Sequence, residues 1–458
     1  MSQPETLAGL DGSVTWGGDR DYEPTRRSML WNAWTPTRLP ELIVRAASAQ
    51  DVAVAVRFAR SRGMKIAVRG SGHSWCGSPL RNGGMLIDLS QLRDLSIDRA
   101  ARTATLQPGV TSRKLASALA GHELAFPVGH CGHVGLSGYL LSGGLGWNSG
   151  EWGPACLSVT AVEAVTADGQ LTWADEGRNA ELFWAARGAG PGFCGVVTRF
   201  HLKLYPLPRA ITSSTYVYRL EDAEAVACWA LEARATLPPT VELALLLVPA
   251  PSEIASRPGE RVAVLASTAF VDSPDEALRV LAPLEDCPAR DRCISHDVNR
   301  AVSFEALFEA EDANWPEGHR YAADNLWLNA SLGEAFAELR AQITRAPSAR
   351  SLILIKLPST PPDTELPDMA FSMLGRVLVD CYSVWENEAD DEANIGWLRD
   401  AMKTLAPFAV GHYVAETDLL ANPSRPTRSF SPAAWERLTS LRQRLDAQSL
   451  FYSYLGLE

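Results

Sequence analysis

Two short stretches of this 458-residue chain set a reactive side chain beside exposed glycine backbone. The first reads Val68-Arg69-Gly70-Ser71-Gly72-His73-Ser74-Trp75. A strand runs into a Gly-Ser-Gly turn whose N–H groups no side chain covers, and such a nest can bind the oxygens of a pyrophosphate. An imidazole follows at once. The same residues also fit a plain turn with a surface histidine. The second stretch is Gly129-His130-Cys131-Gly132-His133-Val134-Gly135-Leu136-Ser137-Gly138, continuing to Ser142-Gly143-Gly144-Leu145-Gly146-Trp147. Nine glycines fall between 129 and 153. That density suits neither helix nor strand; it suits backbone packed against a large flat ligand, or a flexible surface loop. Neither GxGxxG nor GxxxxGK[ST] fits here, which argues against nicotinamide-type and P-loop nucleotide sites.

His122, His130, Cys131 and His133 raise the alternative of a metal site. No HExxH occurs, however, and ligands two or three residues apart in a glycine loop are a weak pattern, so no metal is expected. A third stretch runs from Glu181-Leu182-Phe183-Trp184 through Arg187-Gly188-Ala189-Gly190 to Gly195-Val196-Val197-Thr198. It reads as a helix, a glycine turn and a strand.

The elements that must position these residues change texture along the chain. From about 40 to 205, short strands alternate with two helices. The helix at 49–61 carries Val52, Ala55, Val56 and Ala59 on one side, with Ser48 as cap and Asp51 in its first turn. The helix at 111–124 carries Leu115 and Leu119. Strands are expected at 65–68, 85–88, 104–107, 159–166, 171–173 and 196–204. Tyr205-Pro206-Leu207-Pro208-Arg209 reads as a domain exit. Beyond it, helices at 221–236, 274–284, 334–345 and 394–404 alternate with strands at 213–218, 241–248, 261–270, 351–356 and 376–382. This pattern predicts one sheet backed by helices on one face. A further helix at 433–445 precedes the aromatic tail Phe451-Tyr452-Ser453-Tyr454.

Composition narrows the class. With 46% hydrophobic residues the chain can bury a large core in more than one domain. Its 42 basic and 54 acidic residues give a net charge of -12, which disfavours nucleic acid and anionic membrane surfaces as partners. The N-terminus is acidic and lacks an apolar leader, and the longest apolar runs, such as 351–357, are too short to span a bilayer. Eight scattered cysteines without a CxxC pair point to reduced thiols, and a cytoplasmic setting is expected.

Taken in order, the three glycine stretches resemble those of the berberine-bridge-enzyme-like FAD-linked oxidases, within the vanillyl-alcohol-oxidase superfamily. The shared motifs are R-x-x-G-H, then G-x-C-x-x-V-G-x-x-G followed by G-G-x-G, then R-G-x-G with G-V-V-T. The resemblance implies an α+β fold: a two-subdomain FAD-binding domain (1–208, core about 36–208), a substrate domain with an antiparallel sheet backed by helices (209–408), and a C-terminal segment returning to the FAD domain (409–458). It implies bicovalent FAD, with His73 on the flavin 8α-methyl carbon and Cys131 on C6. It places Arg69, Gly70, Ser71, Gly72 and Ser74 against the cofactor. From the second motif it adds Val134, Gly135, Ser137, Gly138, Gly143, Gly144 and Gly146, and further on Val197 and Tyr452. Val134 stands where a small aliphatic residue goes with oxygen access. The implied activity is oxidation of a small alcohol, sugar or amine, with O2 reduced to H2O2.

Near the C-terminus the resemblance is partial. Many relatives carry Y-x-N-[YF]-x-D, and this chain reads Tyr413-Val414-Ala415-Glu416-Thr417-Asp418. A general base must remove the substrate O–H or N–H proton, and both Tyr413 and Glu416 are candidates. Ala155-Cys156 and Tyr452-Ser453-Tyr454 also depart from the family pattern, so substrate identity does not transfer. In the second half, Asp324, Trp327 and Tyr382 are candidates for lining a substrate pocket. A dehydrogenase with another acceptor and an inactive flavin-binding protein are the competing readings.

Overall fold

The computed structural model describes residues 7–256, 259–329, 332–360 and 364–457. Part of the N-terminal stretch read above for a leader, residues 1–6, lies outside them.

A strand at Leu42–Arg45 leads through the helix Ala49–Arg62 to a strand at Ile66–Arg69, and both strands pair in parallel with Met85–Asp88 between them. Ser48 caps the helix by accepting the Asp51 N–H at 3.1 Å, and Gly63 ends it at φ 63°, a left-handed turn open to glycine. Ser13–Trp16 adds an antiparallel edge. Parallel strands buried on both faces read as apolar runs, and here they are Leu-Ile-Val, Ile-Ala-Val and Met-Leu-Ile. In such sheets ligands bind beyond the carboxyl ends of the strands. Arg69 and Asp88 mark that end, joined at 2.8 Å, with Arg45 at 3.1 Å from the same carboxylate.

A second sheet orders its five antiparallel strands as Leu95–Asp98, Thr103–Leu106, Val196–Lys203, Val159–Val165 and Leu171–Ala174. The helix foreseen at 111–124 is shorter, Ser112–Ala120. Glu123 adopts φ 57°, and Leu124–Ala125 instead forms a two-residue strand with Tyr205–Pro206. The prolines of that exit therefore end long structure without abolishing pairing.

The third sheet has eight antiparallel strands from residues 210 to 411, with Val241–Pro249, Leu352–Lys356, Val377–Trp385 and Arg320–Leu328 adjacent in that order. The helices Ala223–Ala233, Leu332–Arg345 and Asp391–Leu405 pack on one face. Alternation along each strand then decides the other face. Leu243, Leu245 and Leu247 enter the helical core, so Glu242, Ala244, Leu246 and Val248 look the opposite way, into a cavity. The α+β architecture with a helix-backed antiparallel sheet is as expected from the sequence. The strands Leu42–Arg45, Arg320–Leu328 and the exposed edge Ser295–Ala301 were not delineated by pattern.

After the helix Pro432–Leu445 the chain returns to the first sheet. Ile66 N–H donates to Leu450 O at 2.7 Å, and Tyr452 N–H donates to Ile66 O at 2.9 Å. The turn before it is held by the buried Asp446, whose carboxylate accepts the Leu450 and Phe451 N–H groups at 2.7 and 2.9 Å. Asp446→Ala leaves two buried donors without a partner, so a loss of about 2–4 kcal/mol is expected. Thermal unfolding checks this: a midpoint unchanged from wild type removes Asp446 as the fastener of the tail.

Candidate active site

Two loops meet at the end of the parallel sheet. The first leaves Ile66–Arg69 and carries Gly70-Ser71-Gly72-His73. The second precedes the helix Leu136–Leu141 and carries Cys131 to Gly135. Ser71 Oγ accepts the Gly135 N–H at 2.8 Å. A Cβ on Gly135 would stand 2.7 Å from the Ser71 side chain, and one on Gly70 would stand 2.2 Å from Ser137 Oγ. These two glycines therefore allow the loops to touch. The first turn of Ser112–Ala120 pins the second loop further. Its otherwise unpaired N–H groups at Ser112 and Arg113 donate to Val134 O at 2.9 Å and Gly132 O at 3.0 Å.

His73 and Cys131 both line one cavity of about 540 Å³ between these loops and the eight-stranded sheet. The His73 ring stacks on Trp31 at 4.8 Å between centroids, 20° from parallel. Burial, with His133 and Arg69 adding to it, lowers its pKa to about 3. The imidazole is thus neutral, with a lone pair available as a nucleophile. Burial raises the Cys131 thiol, opposed by the backbone N–H groups of His133 and Val134.

Several sequence-derived site residues reach the wall: Gly70, Ser71, Gly72 and Ser74 from the first loop, Val134 and Gly135 from the second, Ser137 and Gly138 from the helix that follows it, and also Val197 and Tyr452. Gly138 is the bare position, since a Cβ there would meet no protein atom within 4 Å. Other residues do not reach the wall. Arg69 turns away, donating to Asp88 at 2.8 Å and to Met29 O at 3.0 Å, and so braces the turn from behind. Gly143, Gly144 and Gly146 serve packing. The space of their missing side chains is filled by Phe371, by Tyr139 with Ala155, and by Val128 O, at 2.4, 2.8 and 2.1 Å. Gly143 and Gly144 also adopt φ of 108° and 80°, which side chains disfavour.

The sheet supplies the opposite wall. Trp327 and Tyr382 line it, but Asp324 does not. Asp324 shares the alternate face with Leu326 and Leu328, where Arg425 meets its carboxylate at 2.9 Å. Tyr382 O–H donates to Glu416 at 2.5 Å. Tyr413 Oη accepts the N–H groups of Gly144 at 3.2 Å and Leu145 at 3.3 Å. Burial, then the Glu416 charge, push the Tyr413 phenol up despite those bonds. Two further polar residues on this wall, Glu242 and Lys356, escaped sequence reasoning. Glu242 accepts the Asn148 N–H at 2.5 Å and lies 3.3 Å from His130 Nε2. Lys356 Nζ lies 3.2 Å from Asp380, whose carboxyl burial raises and Lys356 lowers. A glutamate and a lysine inside apolar strands were the available signal, since a charge there must find a partner or a site. His130 faces Glu242 and His133 faces Asp312, at 3.3 and 3.6 Å. Among the described residues no group of three or more ligating side chains is placed to hold a metal ion. No helix among them is long and apolar enough to cross a membrane.

The walls suit a flavin dinucleotide. Bare backbone at Gly138 and an apolar surround accept a flat ring, and a neutral imidazole and a thiol face the same space. Comparison with known proteins agrees. Residues 40–175 match the family of FAD binding domains. The chain is 33% identical over 430 residues to the FAD-linked oxidoreductase nodO of Hypoxylon pulicicidum, covering 94% of this chain and 93% of that one. Its fold is similar to that of 6-hydroxy-D-nicotine oxidase from Arthrobacter nicotinovorans, with a TM-score of 0.85 at 22% identity over 100% and 99% of the two chains. It is also similar to the berberine-bridge-enzyme-like protein 1 of Physcomitrella patens, with a TM-score of 0.83 at 19% identity over 99% and 98%. The glycine-lined cavity, the helix-backed sheet and a relationship along almost the whole chain place this protein in the family of FAD-linked oxidoreductases.

Proposed function

We propose that the protein is an oxidase of a small organic substrate, an alcohol, sugar or amine, with FAD tethered at both His73 and Cys131 and O2 reduced to H2O2. When bound, FAD supplies the hydride acceptor that side chains lack. The observation that carries this reading is that His73, Cys131 and the acid-base group Glu416 line the same cavity. A neutral imidazole and a thiol are the two nucleophiles such tethering needs. Val134, on the same wall, is small and apolar, which suits the passage of O2.

The substrate loses a hydride from carbon and a proton from the attached oxygen or nitrogen. Glu416 is the group that takes this proton. It lies on the wall as the acceptor of the Tyr382 O–H bond. Tyr413 retains its own proton, because burial and Glu416 raise its pKa. Its hydroxyl therefore orients substrate, and Gly144 and Leu145 hold its oxygen in place. Trp327 and Tyr382 shape the remaining wall.

Acid precipitation of the purified protein should leave the flavin colour with the chain. Mass analysis should find FAD retained in His73→Ala and in Cys131→Ala, and lost only when both are changed. Retention in the double variant would sink the assignment of both anchors.

For turnover, peroxide release and O2 uptake should be measured with benzyl alcohol, glucose, cellobiose and N-methylpyrrolidine. Glu416→Gln should lower kcat by about 10²- to 10⁴-fold, the usual contribution of a positioned base. Tyr413→Phe should lower it by no more than about 10-fold, the scale of losing one hydrogen bond. The reverse order would transfer the role of base to Tyr413. Reduction of a dye without O2 uptake would make the protein a dehydrogenase.

A further inference from the structure

Asp324 and Asn325 are adjacent on the strand Arg320–Leu328, nearly fully buried, and hydrogen-bonded to the segment that carries Tyr413 and Glu416. The edge strand Ala409–Gly411 pairs with this strand through Trp327 and Leu328 and then stops. Past that point the Asn325 side chain takes over the pairing. Its carboxamide oxygen accepts the Tyr413 N–H at 2.7 Å, and its nitrogen donates to Tyr413 O at 2.8 Å. The Asn325 backbone carbonyl accepts from His412 Nδ1 at 2.7 Å. Asp324 holds the far end. Its Oδ1 accepts the Thr417 hydroxyl at 2.8 Å and the Asp418 N–H at 3.1 Å, while Oδ2 pairs with Arg425 at 2.9 Å. Glu416 lies between these two fastenings, and Arg425 also bonds the His412 ring, closing the network.

A carboxamide that pairs with a main-chain N–H and C=O reproduces a ladder step without continuing the strand. The chain is then free to turn, and residues 413–418 leave the sheet edge to reach the cavity, which Tyr413, Glu416 and Thr417 all line. We propose that the Asp324-Asn325 pair is the positioning device for this segment, setting the place of Tyr413 and Glu416 while touching no substrate itself. The proposal rests on the oxidase reading above for its kinetic test, and on hydrogen exchange where that reading fails.

Asn325→Ala should keep its covalent flavin and lower kcat by 10- to 100-fold with KM within threefold, using whichever of the four substrates above is turned over fastest. In a Glu416→Gln background the same change should cost less than threefold, because two residues acting through one geometry are not additive. An additive loss, or a change confined to KM, overturns the proposal. A fully active Glu416→Gln together with a slow Asn325→Ala refutes Glu416 as base and leaves the pair acting through Tyr413. Should Asn325→Ala not accumulate as folded protein, Thr417→Val removes only the hydroxyl donor to Asp324, and kcat should fall three- to tenfold; an unaltered kcat overturns the proposal. If none of the four compounds is oxidised, amide exchange decides. The backbone amide of Tyr413 should exchange at least tenfold faster in Asn325→Ala, with the eight-stranded sheet unchanged, and equal protection overturns the proposal.

Discussion

The site depends on two loops being able to touch. Gly70 and Gly135 have no side chain where one would collide with Ser137 and Ser71, and that absence lets Ser71 Oγ accept the Gly135 N–H at 2.8 Å. Everything carried by the loops follows from that contact. His73 and Cys131, 58 positions apart in the chain, come to line one cavity. The loops are also braced from outside: Arg69 and Asp88 hold the first at the end of the parallel sheet, and the start of Ser112–Ala120 holds the second. Close packing of backbone on backbone is what glycine permits and any other residue prevents.

The eight-stranded sheet contributes by having two unlike faces. Helices cover one face with leucine, valine and alanine, and the alternate residues are thereby directed at the cavity. Those residues include Glu242, Lys356 and Tyr382, polar groups that would be costly in a sealed core. They are kept in pairs: Lys356 with Asp380, Tyr382 with Glu416, Glu242 with His130 and the Asn148 N–H. Pairing limits the cost of burial and holds each group in one orientation. His73 is handled differently. Half-buried and stacked on Trp31, it avoids the cost of desolvation by staying neutral.

Much of this was legible in the chain itself. Apolar runs bounded by glycine marked Ile66–Arg69 and Met85–Asp88, and 3.6-residue spacing with a serine cap marked Ala49–Arg62. The glycine density between 129 and 153 marked close backbone approach, but not what approaches. Gly138 is open to the cavity, Gly135 meets a serine, and Gly143 meets Phe371. The three look alike in a sequence, because a glycine records only that a Cβ is excluded. Asp324 shows the same limit from the other side. Its polar side chain near Trp327 suggested a pocket wall, but its face was not readable, since a one-residue shift of phase reverses every side chain.

The sequence by itself determined the local chemistry: which residues are nucleophilic, where backbone must lie bare, where strands and helices form, and which family pattern the three glycine stretches follow. These are properties of neighbours along the chain, set by dihedral sterics and periodicity. Only the tertiary structure decided which residues share the cavity. The pairing of Tyr382 with Glu416 and of Lys356 with Asp380 joins residues from separate strands and loops. So does the neutral state of His73, which depends on Trp31, Arg69 and His133 around it. Burial and through-space charge depend on distances that chain order does not contain, and those distances exist only once the sheets and loops have packed.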